Sequence, residues 1–306
     1  MTQIAMDFRS DKYYYRSSWF QLVRPMTLTG TLTPVLVGTG VAATQGPIQF
    51  DVFFALLFAA LLIQAATNLF NDYYDFRNGQ DQDKWTLNHA DAHGPSHAVV
   101  PYAAGSMLGI TIIIGAWLAF MSSFWVILAG ILGISFGFLY SAGPRPLCSI
   151  GLGETVAFIF LGPVITILGY SVQGHTVDIQ IAAISLPFAM LIASMILTNN
   201  IRDMEKDSTF RKTLPAILGR ARAINILVTL LSIAYLTVVG LVLYNVIAWQ
   251  ALAVLLALPL AFRLRWSLRR GAKRSEEIKG MKWAAWHHWA FGLLFSCGVW
   301  IGFLIS

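Results

Sequence analysis

Long apolar stretches separated by short polar segments run through almost the whole chain. The stretches 107–121, 124–139 and 223–243 contain no charged residue, and with their flanks they approach the roughly 20 residues that an α-helix needs to cross a bilayer. We therefore predict an all-α, polytopic membrane protein with nine transmembrane helices in a single domain, residues 1–306. The nine spans are predicted at 26–44, 52–70, 102–121, 124–140, 151–171, 179–200, 223–245, 248–263 and 284–304.

The composition also indicates a membrane protein. Hydrophobic residues make up 57% of the chain and charged residues only 12%, against roughly 25% charged in a soluble domain, and the mean hydropathy is +0.64. A soluble chain of this composition would lack the polar residues that normally face water. The net charge of +6 is explained by membrane orientation, so we predict no nucleic-acid partner.

Basic residues are distributed on one side of the predicted spans. All 21 Lys and Arg residues lie in the N-terminal tail and in the loops after the second, fourth, sixth and eighth spans. The other four loops and the C-terminal end contain none. Because cytoplasmic loops are enriched in Lys and Arg, we expect the N-terminus inside and the C-terminus outside. The basic cluster at 263–282 is expected to face anionic lipid headgroups.

The second predicted span ends in an acid-rich motif. Asn68, Asp72 and Asp75 are spaced i, i+4 and i+7, so on a helix they share one face. Carboxylates at the end of a membrane helix are costly unless they are paired or bind a metal ion. Alone, these residues could also be ordinary polar residues that cap a helix at the interface.

The sixth predicted span ends in a matching motif on the same side of the membrane. Asn200, Asp203 and Asp207 are spaced i, i+3 and i+7, again on one face. Two motifs four spans apart indicate a four-helix unit used twice, and repeats in membrane proteins often bind their ligand where they meet. Facing carboxylates suit Mg²⁺, which commonly bridges protein carboxylates and phosphate oxygens. Nearby cations that could bind phosphate are Arg145, Arg211 and Lys212.

The motifs resemble those of the UbiA superfamily of intramembrane prenyltransferases. The family pattern matches Asn71-Asp72-x-x-Asp75 and Asp203-x-x-x-Asp207. The second motif, with the following Lys212-Thr-Leu, is most similar to the branch that prenylates 1,4-dihydroxy-2-naphthoate in menaquinone synthesis. Further similar elements are Arg24-Pro25, Tyr140-Ser-Ala-Gly-Pro-Arg-Pro-Leu147, Gly151-Leu-Gly-Glu154, Gly162-Pro163 and Asn199-Asn200-Ile-Arg202-Asp203.

The resemblance implies a nine-helix bundle around one cavity in a bacterial cell membrane, with a cytoplasmic active site. It implies Mg²⁺, for which Mn²⁺ can substitute, and transfer of a polyprenyl group from a polyprenyl diphosphate to 1,4-dihydroxy-2-naphthoate, with loss of CO₂. Alternatives are another acceptor (4-hydroxybenzoate, homogentisate, a porphyrin or a lipid alcohol) or a secondary transporter. The implied catalytic and metal-binding residues are Asp72, Asp75, Asp203 and Asp207, with Asp81 a further candidate ligand, and the implied diphosphate-binding residues are Asn68, Asn71, Arg77, Tyr140, Arg145, Asn199, Asn200, Arg202, Arg211 and Lys212.

The chain departs from the family pattern in the loop after the second span. Many members carry a third Asp four residues after the second, but this chain has Gly79 there, which leaves Asp81 or Asp83 to serve. His97 stands where the similar branch often has Arg, and Phe210 replaces a small residue. These changes affect the predicted diphosphate contacts of the loop and leave the reaction class unchanged.

Two other features allow more than one interpretation. His89, His93 and His97 recur every four residues, which on a continuous helix could bind zinc. Because Pro95 interrupts a helix there, a mobile lid or a passive loop are the alternatives. The carboxylate of Glu154, near the start of the fifth span, either pairs with an active-site Arg or orients the acceptor.

Overall fold

A computed structural model describes residues 12–207 and 210–305, and these residues are almost entirely helical. The exception is an antiparallel ribbon of two short strands, β1 and β2, which a purely all-α prediction did not include. The helices and strands are β1 Tyr14–Tyr15, α1 Trp19–Val23, α2 Thr29–Ala43, α3 Phe50–Arg77, β2 Trp85–Thr86, α4 Val100–Met121, α5 Trp125–Ser141, α6 Gly153–Ile159, α7 Ile165–Ser171, α8 Ile179–Arg202, α9 Met204–Asp207, α10 Leu214–Leu218, α11 Arg220–Leu243, α12 Leu258–Ser267 and α13 Arg274–Ile305. The 3₁₀ segments are Pro25–Thr27, Gln82–Lys84, His89–Asp91, His97–Val99, Leu147–Ser149 and Trp249–Ala257, and a π-helical turn, Phe160–Val164, joins α6 to α7.

Within the described part of the chain, six helices are long and apolar enough to cross a bilayer. They are α3, α4, the continuous α6–α7 helix, α8, α11 and α13. A bent pair, α1 with its 3₁₀ turn followed by α2, would make a seventh, with a bend of 48°. The prediction of a helical membrane protein is thus confirmed, and the count of nine spans stays a prediction.

Several helix boundaries differ from the predicted spans; for example, α13 begins at Arg274, ten residues before the predicted start at 284. Helix α3 continues to Arg77, past the predicted end at 70, so the first acid motif lies within the helix and its spacing on one face is kept. The predicted span 248–263 coincides with the 3₁₀ segment Trp249–Ala257 and then α12. Pro259 lies in the first turn of α12, where its missing N–H and fixed φ are tolerated, and it cannot continue the preceding helix.

The buried side chains form two large clusters that divide the helices into two halves. One cluster joins α3, α4 and α5 to α2 and α7. The other is built from α8, α11, α12 and α13, together with residues of α2 and α7. Helices α2 and α7 therefore hold the halves together, and they leave a space between α3 and α5 on one side and α6 and α8 on the other.

Glycines allow α2 and α7 to approach closely at this junction. A Cβ atom on Gly38 would lie 2.1 Å from the backbone oxygen of Thr166, and one on Gly169 would lie 2.9 Å from the backbone oxygen of Val35. Thr39 Oγ1 also donates a hydrogen bond to Gly169 O at 3.1 Å. Small residues are the usual means by which membrane helices pack without hydrophobic driving force.

The ribbon ties the N-terminal segment to the loop after α3. Tyr14 pairs with Thr86 and Tyr15 pairs with Trp85. At the end of this loop His97 is buried and stacks on Tyr73, with ring centroids 4.5 Å apart. Since His89 and His93 are exposed, the three histidines do not gather into the zinc site that was one interpretation of their spacing.

Candidate active site

A cavity of about 780 Å³ runs between the two halves. Its mouth is polar and lies where α3 and α8 end, and its deeper part is apolar. Asp75 at the mouth and Leu56 in the depth both line it, and 19 residues of α3 separate them, which corresponds to about 28 Å at the helical rise. The apolar arm is lined by Leu56, Ala60, Ile63, Ile112, Leu118, Val126, Ile131, Ile134, Phe160, Val164 and Leu168, among others.

Asp72 is buried beneath two cations at the mouth. Its side chain is only 3% exposed. Arg24 Nη2 lies 2.7 Å and Lys84 Nζ lies 2.8 Å from the same oxygen, Asp72 Oδ1. Both cations line the cavity, whereas Asp72 lies behind them. Asp72 is therefore separated from the cavity by Arg24 and Lys84, and it positions these two cations.

Asp75 lines the cavity directly and forms an ion pair with Arg211. Both side chains are largely buried, at 7% and 12% exposed. The carboxylate of Asp75, together with Cys148 and Asp207, raises the pKa of the Arg211 guanidinium, although burial opposes this. Arg211 follows α9 in the second half of the chain, so this pair connects the two acid motifs.

Asp81 links the loop after α3 to the second motif. Its backbone is left-handed, with φ of 50°, and its carboxylate contacts Lys84 Nζ at 2.7 Å and also Lys206. Burial opposes ionisation of Asp81, but the two ammonium groups outweigh it and hold the pKa well below its usual range. Asp83, the other candidate for the missing family Asp, is 80% exposed and lies 3.8 Å from Lys206.

The second motif presents Asp203 and Asp207 to the same mouth. Asp203 Oδ1 accepts from Arg202 Nε at 2.9 Å and from Arg274 Nη2 at 3.3 Å. Burial raises the pKa of the Asp207 carboxyl; Arg211 opposes the shift, and Asp203 and Asp81 reinforce it. A carboxyl that resists ionisation beside other acids is expected to gain from a bound cation.

The four motif asparagines line the cavity, and each forms a hydrogen bond through its side-chain amide. Asn68 Nδ2 donates to Val23 O at 2.7 Å, and Asn71 Nδ2 donates to Ser141 Oγ at 3.1 Å. In the second motif, Asn199 Oδ1 accepts from Arg202 at 2.7 Å, and Asn200 Nδ2 donates to Glu154 Oε1 at 2.8 Å.

Three residues predicted to bind diphosphate lie away from this cavity. Arg77, Arg145 and Lys212 are exposed and do not line it. The guanidinium of Arg77 lies 5.9 Å from the ring centroid of Tyr73. The other predicted residues that line the cavity are Asn68, Asn71, Asp75, Asp81, Tyr140, Asn199, Asn200, Arg202, Asp203, Asp207 and Arg211.

Four cations at the mouth were not predicted as site residues. Arg24, Lys84, Lys206 and Arg274 all line the cavity. Arg24 and Lys84 contact Asp72, Lys206 contacts Asp81, and Arg274 contacts Asp203. The sequence offered a partial signal for Lys206, which stands within the second motif, and for Arg24, which immediately precedes the first span. No local signal could indicate Arg274, because 71 residues separate it from Asp203.

The oxygen atoms at the mouth fit a hard divalent cation that a diphosphate helps to bind. Carboxylates of Asp75, Asp81, Asp203 and Asp207 line one space. Among residues 12–207 and 210–305, no three His, Cys, Asp or Glu side chains are gathered closely enough to hold a metal ion by themselves. Mg²⁺ commonly takes one or two carboxylates and completes its coordination with substrate phosphates and water, and this donor set fits that arrangement.

Solved structures confirm the fold. The chain is similar to the apo structure of a UbiA homologue from Aeropyrum pernix K1, with a TM-score of 0.64 and 15% identity over 89% of this chain and 97% of that one. It is also similar to a UbiA homologue from Archaeoglobus fulgidus bound to DMAPP and Mg²⁺, with a TM-score of 0.62 and 20% identity over 92% of this chain and 99% of that one.

Curated relatives match across nearly the whole chain. A 1,4-dihydroxy-2-naphthoate octaprenyltransferase of Bacillus subtilis (strain 168) is 34% identical over 288 residues, 93% of this chain and 92% of the relative. A protein of the same name from Mycobacterium tuberculosis is 31% identical over 86% of this chain and 89% of its own. Residues 31–287 match the UbiA prenyltransferase family. This chain therefore belongs to the UbiA prenyltransferase family.

Proposed function

We propose that the protein transfers a polyprenyl group from a polyprenyl diphosphate to 1,4-dihydroxy-2-naphthoate, giving demethylmenaquinol, CO₂ and diphosphate. The observation that carries the proposal is the two-part cavity, in which a charged mouth continues into an apolar arm, over about 28 Å of α3 from Asp75 to Leu56. A polyprenyl diphosphate has the same two parts. The acceptor is chosen because relatives similar over most of the chain are named for it.

The cations of the mouth bind and orient the diphosphate. Arg211, Lys84 and Arg24 line the space that Asp75 and Asp203 also line, and guanidinium groups are well matched to phosphate oxygens. When the diphosphate enters, these cations exchange part of their contact with the carboxylates for contact with phosphate. Mg²⁺, or Mn²⁺ in its place, would be held by the carboxylates that line the mouth, Asp75, Asp81, Asp203 and Asp207, with Asp72 behind them. It would neutralise charge on the leaving diphosphate.

The apolar arm excludes water from the allylic carbon. The C1–O bond breaks with both electrons leaving on the diphosphate, and the resulting allylic cation would be captured by any nearby water. The electron-rich ring carbon that bears the carboxylate then attacks C1. The electron pair of its bond to the carboxylate returns to the ring as CO₂ leaves, which restores the aromatic quinol.

We place the mouth on the cytoplasmic side of a bacterial cell membrane, with nine spans, the N-terminus inside and the C-terminus outside. The support is the distribution of Lys and Arg, all 21 of which fall on one side of the nine predicted spans. The polyprenyl tail then lies within the apolar arm at membrane depth, and the outer end of the bundle faces the opposite aqueous phase.

The proposal is tested with membranes that contain the protein, Mg²⁺, a labelled polyprenyl diphosphate and a panel of aromatic acceptors. Product masses identify both the acceptor and the loss of CO₂. We expect prenylated naphthoquinol with 1,4-dihydroxy-2-naphthoate and no product without the protein. The panel contains 4-hydroxybenzoate, homogentisate, a porphyrin and a lipid alcohol.

Each outcome of this experiment decides between named alternatives. Product from another acceptor alone would retain the prenyltransferase and reject the naphthoate. Diphosphate release without an ion gradient argues against a transporter. Absence of any prenyl transfer by protein that is folded and metal-loaded would overturn the proposed function.

A further inference from the structure

A buried carboxylate outside the two acid motifs contacts a residue that lines the cavity. Glu154 lies in the first turn of α6 and is 7% exposed. Its Oε1 accepts a hydrogen bond from Asn200 Nδ2 at 2.8 Å. Its Oε2 is buried, and no group in the described residues donates to it. The proposed reaction described so far gives this carboxylate no role.

The partner of Glu154 is an amide and not a cation. No ion pair joins Glu154 to a described Lys or Arg residue, and the hypothesis that it pairs with an active-site Arg is therefore wrong for this structure. A buried carboxylate with one oxygen unsatisfied destabilises a fold. A Gln of the same shape could accept the same hydrogen bond from Asn200. Packing alone therefore does not explain why a Glu stands at this position.

In its ionised form Glu154 has one property that Gln lacks, which is that it can only accept hydrogen bonds. The amide of Asn200 must therefore turn its Nδ2 towards Glu154, and its Oδ1 is directed away from it. Asn200 lines the cavity, and within the described part of the chain no group donates to its Oδ1. Glu154 thus fixes which end of the Asn200 amide is available to a ligand.

Asn200 also lies at a depth suited to the acceptor ring. It precedes Asp203 by three residues on α8, which places it about 4.5 Å deeper than that acid along the helix. Tyr140 and Cys148 also line the cavity. Both lie beside Gly153, the residue before Glu154: a Cβ on Gly153 would lie 3.3 Å from Tyr140 Oη and 3.5 Å from the Cα of Cys148. An aromatic ring that attacks C1 must lie just beneath the diphosphate, at this level.

We propose that Glu154 is a positioning residue that holds Asn200 Oδ1 towards the cavity, where this oxygen accepts a hydrogen bond from a ring hydroxyl of the aromatic acceptor. The inference rests on the proposed function, because it concerns the acceptor of that reaction. It assigns recognition of the acceptor hydroxyl to the amide of Asn200, whose orientation is set by Glu154. In Glu154→Gln the side-chain volume is kept, but the orientation of the Asn200 amide is no longer fixed, because Gln can present either a donor or an acceptor to Asn200.

The test is a thermodynamic cycle that combines the Glu154→Gln substitution with removal of one hydroxyl group from the acceptor and compares the binding affinities. Dissociation constants of 1,4-dihydroxy-2-naphthoate and of its two monohydroxy analogues are measured with Mg²⁺ and a prenyl thiolodiphosphate that does not ionise. For the wild type, loss of the recognised hydroxyl should weaken binding about tenfold, and for Glu154→Gln the same loss should cost less than about threefold. The KM for the prenyl diphosphate should change less than about twofold.

Two further variants make the result specific. Asn200→Ala should abolish the hydroxyl dependence as Glu154→Gln does, and it decides the question if Glu154→Gln is not recovered folded. Tyr235→Phe is the matched control, because it removes another buried hydrogen bond away from the cavity, the one between Tyr235 Oη and His287 Nε2 at 2.8 Å. It should retain the wild-type tenfold dependence.

An equal loss of affinity in the wild type and in both variants, for each of the two hydroxyls, would overturn the inference. The same holds if Tyr235→Phe reduces the hydroxyl dependence as much as Glu154→Gln does. Failure of the wild type to transfer a prenyl group to any acceptor would instead count against the proposed function. If the wild type transfers a prenyl group but loss of a hydroxyl weakens binding equally in the wild type and in Glu154→Gln, only the role of Glu154 is rejected.

Discussion

Arg211, which follows the second acid motif, forms an ion pair with Asp75 of the first motif across 136 residues of chain. The pair is largely buried at the cavity mouth, with the two side chains 12% and 7% exposed. Each half of the bundle therefore supplies counter-charge to the other. A diphosphate that binds here must compete with carboxylates for the same guanidinium, which a divalent cation on the carboxylates would make easier.

The adjacent residues Arg211 and Lys212 give a matched test of phosphate binding. Arg211 lines the cavity, whereas Lys212 is exposed outside it. We expect Arg211→Ala to lower kcat/KM for the prenyl diphosphate by at least about tenfold, since it removes a cation and leaves Asp75 buried without its partner. Lys212→Ala should remain within about twofold. Equal losses in both variants would show that the charge of the segment matters and its geometry does not.

The carboxylates of the two motifs should act mainly on the departing diphosphate. Interactions that strengthen as charge develops appear in kcat, so we expect Asp72→Asn and Asp203→Asn each to lower kcat by at least about 10²-fold. Combining them should cost much less than the product of the single effects, because loss of either motif already disables the unit. Steady-state kinetics on purified protein at saturating substrate provides the measurement.

Each motif helix carries a control carboxylate at its opposite end. Asp51 lies in the first turn of α3, and Asp178 caps α8 by accepting from Gln180 N at 2.9 Å. Asn caps a helix about as well as Asp, so Asp178→Asn should leave kcat nearly unchanged. Asp51 is exposed and does not cap α3, so Asp51→Asn should leave kcat nearly unchanged as well. If Asp72→Asn or Asp203→Asn behaved like these controls, that motif would be a helix cap without a part in catalysis.

Metal dependence follows from the acids that line the mouth. Activity should vanish in EDTA and return with Mg²⁺ or Mn²⁺, because the diphosphate would otherwise enter a space lined by four carboxylates. Product formation is followed by mass in chelated and reconstituted membranes. Full turnover in excess chelator would rule out a metal-assisted reaction.

Because α2 and α7 approach closely, a methyl group added at Gly38 should lower stability, whereas one added at Gly105 should not. Gly38→Ala would force a Cβ into the backbone oxygen of Thr166, and we expect a loss of about 1–3 kcal/mol in stability. Gly105→Ala in α4 has no heavy atom within 4 Å of the new Cβ, so it should not destabilise. Thermal unfolding of the two variants in the same detergent compares them, and equal melting temperatures would contradict the packing described.

Membrane topology is tested with reporter fusions. A reporter after Ser306 should be active only outside the cytoplasm, and one inserted at Gln82 should report the cytoplasm, because all Lys and Arg residues lie on one side of the predicted spans. Fusions in the predicted outer loops, which contain no basic residue, serve as controls. The reverse pattern would overturn the nine-span arrangement.

The sequence by itself determined the features that depend on local spacing. The apolar stretches predicted helices that the structure contains, and i, i+4, i+7 spacing placed Asp75 and Asn68 on one face of α3, where both line the cavity. Backbone hydrogen bonds within a helix are local, and insertion into lipid requires only length and apolarity. The family motifs identified the acids for the same reason, since each motif occupies only a few consecutive turns.

The tertiary structure decided which side chains meet. It paired Asp72 with Arg24, 48 residues away. It placed Arg145 and Lys212 outside the cavity, although their charge had suggested that they bind diphosphate. It also gave Glu154 an amide partner, Asn200, where the sequence left an Arg or the acceptor as alternatives. Cations in loops have long, flexible side chains and no periodic pattern, so their partners depend on how the two halves of the bundle pack, and no local spacing carries that information.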